Sequence, residues 1–544
     1  MEKALKIALK PLEYVLNWPD KNNKFLTGTY APVQEEHTVR ECEVIGVLPD
    51  AVAGQYARNG PNPRFKPKGG YHWFDGDAMI HGVRIKSSGK VTYTNRFVQT
   101  KKLQAEEEAG QPLGFNLGDW SSRFGMAKFM LYGLKSKLGL VPDLAGMKES
   151  TANTSLEFHA GRLLALNEGG MPYALRVMCD GIIETIGQKP FEGDSKMKTA
   201  FTAHPKKDAS TGKMYGFGYQ YEKPFLTMYV LDANGKLERQ FPVDVERSTF
   251  MHDFAITENY AVFLDLPMVL KPENIVKGAF PLVYDEALGS RMGVLPLSAT
   301  DSSGIRWFDM PESFMAFHVL NAWEEKVEMN GIVHTQLKVV TCDLFEIDLE
   351  QSKLLNDLSP GTYVKYGMPQ PHMNTLCLST GKATRASLMP QPPKEGLDFP
   401  QLRRSLVGKK NRFGYFTGFD NQGSPTAVVK LDLQAATPET ARVGRIDLGN
   451  WLGGEVLFIP SGDSNEDDED DGFLVSFVSP NDGGNSGTPS PPSPLSTTTE
   501  LRVWDAKTMD SEPVATVKLP ARVPLGFHAI FVSEDELATQ KQHD

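Results

Sequence analysis

The chain has 544 residues, 40% hydrophobic and 23% charged, with a net charge of −11. That length supplies a large core, and the negative balance excludes the basic footprint of a nucleic-acid binder. Four scattered cysteines (Cys42, Cys179, Cys342 and Cys377) with no CxxC pair exclude a disulfide-built scaffold and point to reduced thiols in a cytosolic protein.

The opening stretch, MEKALKIALKPLEYVLNW, spaces Lys3, Lys6 and Lys10 too evenly for an apolar signal core and lacks the Ser and Arg of a transit peptide. Residues 1–20 read as an amphipathic segment. Leu5, Leu9, Leu12 and Leu16 share a face, and Pro11 interrupts a regular helix. Strand signals then recur: KVTYTNRFV (90–98), GRLLALNE (161–168), KMYGFGYQY (213–221), FLTMYVLD (225–232), YAVFLDLPM (260–268) and GFLVSFV (472–478). Most are short apolar or alternating runs bounded by Gly, Pro, Asn or Asp. Grouped strands without regular intervening helices predict an all-β fold, and this many strands favour a propeller, which avoids long open edges. No strict blade repeat is legible.

Residues 121–139 break the pattern. Phe124, Phe129, Met130, Leu131, Leu134 and Leu138 alternate with Lys128, Lys135 and Lys137, the mixture of an interfacial amphipathic helix or of a helix packed on the domain. No run reaches the length of a membrane span. Residues 461–471 hold an acidic stretch (DSNEDDEDD from 463) that reads as a solvated loop, and 480–499 form a Pro/Ser/Gly-rich mobile loop. Strand sequence resumes at Glu500–Trp504, so the stretch is an insertion within a single domain, 1–544.

Eleven histidines are present, with no HxxxH or HExxH. Four stand out by context: His204 (FTAHPKKD), His252 (FMHDFAITENY), His318 (FMAFHVLNAWEE) and His528 (PLGFHAIF). Three follow a Phe or Met directly, and all have apolar neighbours. Imidazoles presented from such surroundings suit iron, zinc or copper, and the residues alone do not choose among them.

Longer stretches narrow the reading. RNGPNPRF (58–65), GGYHWFDGDAMIHGVRI (69–85), TANTSLEFHAGRLLALNE (151–168), FTAHPKKD (201–208), FMHDFAITENYAVFLDLP (250–267), FHVLNAWEE (317–325), LDFP (397–400), DDGFLVSFV (470–478) and RVPLGFHAIFVSEDEL (522–537) run colinearly over nearly the whole chain. In these blocks the chain resembles the carotenoid cleavage oxygenase family, most of all its cytosolic plant-type dioxygenase branch. The resemblance implies a seven-bladed β-propeller with a helical cap over its top face, here about residues 103–148.

It also implies Fe(2+) held by His204, His252, His318 and His528. Three acids would accept the second ring N–H of three of them: Glu168 from His252, Asp398 from His318 and Glu455 from His528. Such acceptors fix the tautomer and aim the ring. Many relatives carry Glu where this chain has Asp398, whose shorter arm requires a backbone shift or a bridging water. His72 and His81 read as structural, and no catalytic group is expected beyond the iron site.

The implied reaction is O2-dependent scission of a carotenoid or apocarotenoid double bond at 9,10 and 9′,10′, through a dioxetane-like intermediate, to two carbonyl products. So insoluble a substrate implies a cytoplasmic protein peripherally associated with a membrane, through Phe124, Phe129, Met130, Leu131 and Leu134. No obligate protein partner is indicated. Three readings compete: cleavage of stilbenoids such as resveratrol, retinoid ester hydrolysis, and a non-catalytic carotenoid-binding propeller. Stilbene-cleaving relatives carry Lys directly before the first acid, where this chain has Asn167, and their partnering Tyr has no clear match in 140–150.

Overall fold

The computed structural model describes residues 23–120, 125–141, 150–188, 191–193, 196–197, 199–271, 273–274, 280–345, 368–462, 468–481 and 498–541. These form seven antiparallel sheets around an axis, a seven-bladed β-propeller, with one two-stranded hairpin added. Numbered in chain order, the innermost strands are Ala529–Ser533 in blade 1, Ser155–His159 in blade 2, Lys206–Lys207 in blade 3, Phe254–Ile256 in blade 4, Met315–Met329 in blade 5, Gly396–Gln401 in blade 6 and Leu457–Pro460 in blade 7.

The ring closes twice. The C-terminal strand Ala529–Ser533 pairs with Gly54–Arg58, and the N-terminal strand Glu43–Gly46 pairs with Ala515–Lys518 of blade 7. Unzipping either closure would expose strand edges, so both ends of the chain secure the fold.

Blades pack face to face, which explains why several predicted strands are continuous apolar runs. Val91–Phe97 and Leu226–Leu231 are buried on both faces. Each junction between adjacent blades holds its own apolar cluster. Tyr93 and Val83 of blade 1 meet Val475 and Phe477 of blade 7, and Phe217 and Met228 of blade 3 meet Phe254 and Phe263 of blade 4. At roughly 1.5–3 kcal/mol for each large apolar side chain removed from water, these junctions hold the ring together.

The predicted strands are all present, with one correction. The run 260–268 is not a single strand. It ends at Asp265, and Met268–Leu270 belongs to the separate hairpin with Leu282–Tyr284. Pro267 lies between them and has no N–H to give a ladder. The acidic stretch also differs from a freely solvated loop where it is described. Glu469 accepts the backbone N–H groups of Arg412 and Phe413, and Asp470 pairs with Lys430 at 2.6 Å. Residues 463–467, the loop 482–497 and the N-terminal segment 1–22 lie outside the described residues.

Between blades 1 and 2 the chain forms helices Lys101–Ala109, Leu117–Trp120 and Gly125–Lys137. Thr100 caps the first through the Leu103 N–H, and Gly110 ends it at φ 63°. The buried Asp75 accepts the N–H groups of Leu117 and Gly118. Leu117 and Trp120 pack against the cluster between blades 4 and 5, so the insert reaches across the ring.

Candidate metal centre

All seven blades converge on one point. His528 directly precedes the innermost strand of blade 1, His204 and His252 precede those of blades 3 and 4 with one residue between, and His318 lies within that of blade 5. Blades 2, 6 and 7 supply Glu168, Asp398 and Glu455. The four imidazoles each offer a ring nitrogen, and these atoms lie within 4.8 Å of one another. Bonds of about 2.1 Å to one ion place opposite ligands about 4.2 Å apart, so a small closure of these rings would complete such a shell. Ring centroids lie 4.5 Å apart for His204 and His252, and 4.6 Å apart for His204 and His528.

Three rings are held from behind. Nδ1 of His252 is 2.8 Å from Glu168, Nδ1 of His318 is 2.8 Å from Asp398, and Nδ1 of His528 is 2.9 Å from Glu455. A carboxylate accepts, so each Nδ1 carries the proton and each Nε2 presents a lone pair to the centre. Asp398 reaches its ring directly, without a water. The ladder shifts register between Asp398 and Gln401, and Phe399 takes a left-handed conformation at φ 50°. A bulge of this kind re-aims the side chain it carries, and here it accompanies the direct contact.

Behind the acids stand further partners. The Tyr219 hydroxyl faces Glu168 and the Cys342 thiol faces Asp398, burial and these carboxylates holding both protons on, and Gln401 donates to Glu455 at 2.8 Å. The second oxygen of Glu455 accepts the Ala529 N–H at 2.6 Å.

Charge favours neutral rings at two positions. Burial, with the neighbouring imidazoles second, pushes His204 well below the usual histidine range. Burial also lowers His528 and outweighs the opposing Glu455. Burial pulls on His318 as well, but the charge and hydrogen bond of Asp398 outweigh it and raise that imidazole.

The arrangement fits a cation. Nε2 of His318 is buried with no hydrogen-bond partner among the described residues. Nε2 of His204 and of His252 lie 2.9 Å apart. A buried orphan acceptor and two facing nitrogens are satisfied together by a metal ion.

Aromatic rings surround the histidines. Phe250 stacks on His252 at 6.1 Å, Phe317 stands edge-on to it at 5.2 Å, and Phe399 lies 5.1 Å from His318 and 5.2 Å from His528. Phe74 contacts both Phe317 and Phe527. Sequence reasoning missed this ring of phenylalanines, although the Phe residues directly before His318 and His528 signalled part of it. A cavity of about 910 Å³ opens onto His204, His318 and His528. Among the described residues the other histidines stay out of the site: His81 bonds the Tyr93 hydroxyl at 2.8 Å, and His72 accepts the Phe74 N–H at 3.1 Å.

A propeller that gathers four imidazoles on its axis and braces three of them with carboxylates could hold a metal ion there. The family model described as retinal pigment epithelial membrane protein matches residues 30–533, and the chain belongs to that family, the carotenoid cleavage oxygenases. A carotenoid 9,10(9′,10′)-cleavage dioxygenase 1 from Phaseolus vulgaris is 38% identical, over 95% of this chain and 90% of its own length. Among solved structures, a lignostilbene dioxygenase from Pseudomonas brassicacearum superposes with a TM-score of 0.74 at 25% identity, covering 95% of this chain and all of that one. A Synechocystis apocarotenoid oxygenase superposes at 0.72 with 22% identity, covering 94% and 98%.

Proposed function

We propose that the chain is an iron(II)-dependent dioxygenase that cleaves the 9,10 and 9′,10′ double bonds of a carotenoid or apocarotenoid, with His204, His252, His318 and His528 as ligands. The observation that carries this reading is the pairing of an all-imidazole centre with aromatic walls. Ferrous iron bound there supplies the electrons that O2 activation needs, which zinc does not. Glu168, Asp398 and Glu455 hold the rings in one tautomer and offset the ion's charge from a distance. Phe74, Phe250, Phe317, Phe399 and Phe527 provide flat apolar surface against which a polyene lies, and they keep water from the bond to be cut. A polyene has no acidic proton or leaving group, so its cleavage asks nothing of the three carboxylates beyond holding the rings.

Reaction under labelled O2 should place label in both carbonyl fragments. Label in only one, with solvent exchange controlled, sinks the dioxygenase reading. β-Carotene, an apocarotenal and resveratrol assayed side by side identify the substrate class. The stilbenoid reading has little support at Asn167. Its amide donates to Asn153 and Thr154, and its oxygen accepts the Gly169 N–H, which leaves it committed to its own loop. Residues 142–149, where the partnering Tyr is sought, lie outside the described residues.

The same reading has the protein draw substrate from a membrane surface. No described helix is long and apolar enough to cross a membrane. Helix Gly125–Lys137 nevertheless exposes Met130 (67%) and Leu134 (51%), with Lys135 and Lys137 in its last turn. Phe129 is partly exposed and rests on Phe115 and Trp120, Leu131 is half-buried, and Phe124 lies outside the described residues. Changing Met130 and Leu134 together to Ser should lower liposome binding in flotation by more than about tenfold, since two buried methylenes at about 0.8 kcal/mol each already amount to that. Unchanged flotation would remove this contact. The four cysteines are free thiols, as a reducing cytosol requires.

A further inference from the structure

We propose that Asp253 is a positioning residue that ties three of the four histidine-bearing segments into one unit. The inference rests on reading the four histidines as metal ligands.

Asp253 follows His252 directly and is 2% exposed. One carboxylate oxygen lies 2.7 Å from Nζ of Lys206, two residues after His204, and accepts the Phe254 N–H at 2.7 Å. The other oxygen accepts the N–H of Val319, the residue after His318, at 2.8 Å. A single buried carboxylate therefore links blades 3, 4 and 5 at the points where each delivers its imidazole.

Two features of the centre make such a link necessary. The first concerns His204, whose ring receives no carboxylate among the described contacts, unlike the other three. Its segment is held instead through Lys206, whose ammonium is anchored on Asp253. The second concerns His318. The strand that carries it shifts register against its neighbour on both sides of Val319. A bulge of this kind aims a side chain away from the regular ladder and frees backbone groups. Asp253 takes the Val319 N–H and so fixes the bulge in the form that points His318 inward.

The carboxylate cannot be replaced by its amide without loss. The side chain accepts three hydrogen bonds, and an amide would turn one acceptor oxygen into a donor facing another donor. It would also leave the Lys206 charge without its partner. Because Glu168, Asp398 and Glu455 each act on one ring, whereas Asp253 acts on the spacing between rings, its loss should change the symmetry of the bound ion and not only its affinity.

The test uses the full chain, stripped and reloaded with ferrous iron. Iron affinity is measured by chelator competition, and ligand-field symmetry by the electron paramagnetic resonance of the ferrous–nitric oxide adduct. Asp253→Asn should weaken iron about 10–100-fold, in the range found when groups behind metal ligands are changed. It should also alter the rhombicity of the resonance. Lys206→Met should shift both in the same direction, Lys206→Arg should restore them, and the Asn/Met double variant should show less than the sum of the single effects. Wild-type affinity and an unchanged resonance in folded Asp253→Asn protein overturn the proposal. If that variant does not fold, Lys206→Met decides by the same two readouts. A wild-type chain that holds no iron overturns the metal reading and the clamp with it, whereas a loaded wild-type chain with indifferent variants overturns the clamp alone.

Discussion

His204→Ala is expected to abolish iron binding and polyene cleavage while leaving the metal-free protein as stable as wild type, within about 1 kcal/mol. The loss of affinity should exceed about 100-fold, because changing a residue behind a ligand already costs up to that amount. The stability half of the prediction follows from the partners. His204 has no carboxylate behind it, and its Nε2 lies 2.9 Å from that of His252, a contact the metal-free protein does not need. His528→Ala should lose iron equally and also unfold more easily. Its removal leaves Glu455 buried and short of a donor, which costs roughly 1–3 kcal/mol. Iron analysis and thermal unfolding of the two metal-free variants check both halves. Equal destabilisation by the two changes would contradict this account of the carboxylates.

The second large effect is a ranking among the acids. Glu455→Gln should weaken iron most, by about 10–100-fold, and Glu168→Gln least. The Glu455 side chain is 3% exposed, against 18% for Glu168. Glu455 also accepts from three donors at once: His528, Gln401 and the Ala529 N–H. A glutamine there must turn its amide toward a donor. Glu168 sits nearer solvent, where water takes up part of the loss. Chelator competition across Glu168→Gln, Asp398→Asn and Glu455→Gln reads the order, and a reversed order would mean that burial does not set the strength of these contacts.

Much of this was legible in the sequence, for identifiable reasons. Strands such as 91–97 and 226–231 could be read because both their faces are buried between blades and the apolar run is unbroken. The strand from 260 was overextended because an apolar run continues through Pro267, and only the missing N–H marks the break. The histidines were anonymous by spacing, and the fold shows why. His204 and His252 are one blade apart, the next interval is lengthened by the hairpin after Asp265, and blades 6 and 7 lie between His318 and His528. Blade length, not a motif period, sets the intervals, so only the local blocks identified the four. Asp398 reaches His318 directly at 2.8 Å, beside a bulge that places a phenylalanine at positive φ. Bulges depend on strand pairing and leave no local signature. For the same reason the phenylalanine ring and the Lys206–Asp253–Val319 link were beyond the sequence, since each joins strands distant in the chain.

The most direct test of the central claim is to titrate the metal-free chain with ferrous iron under air and follow the products from β-carotene and an apocarotenal by mass spectrometry. Cleavage should rise with iron and level off at one ion per chain, yielding two carbonyl fragments per bond cut at the 9,10 position. Cleavage by the metal-free chain at the same rate, or an iron-loaded chain that leaves both polyenes intact, would contradict it.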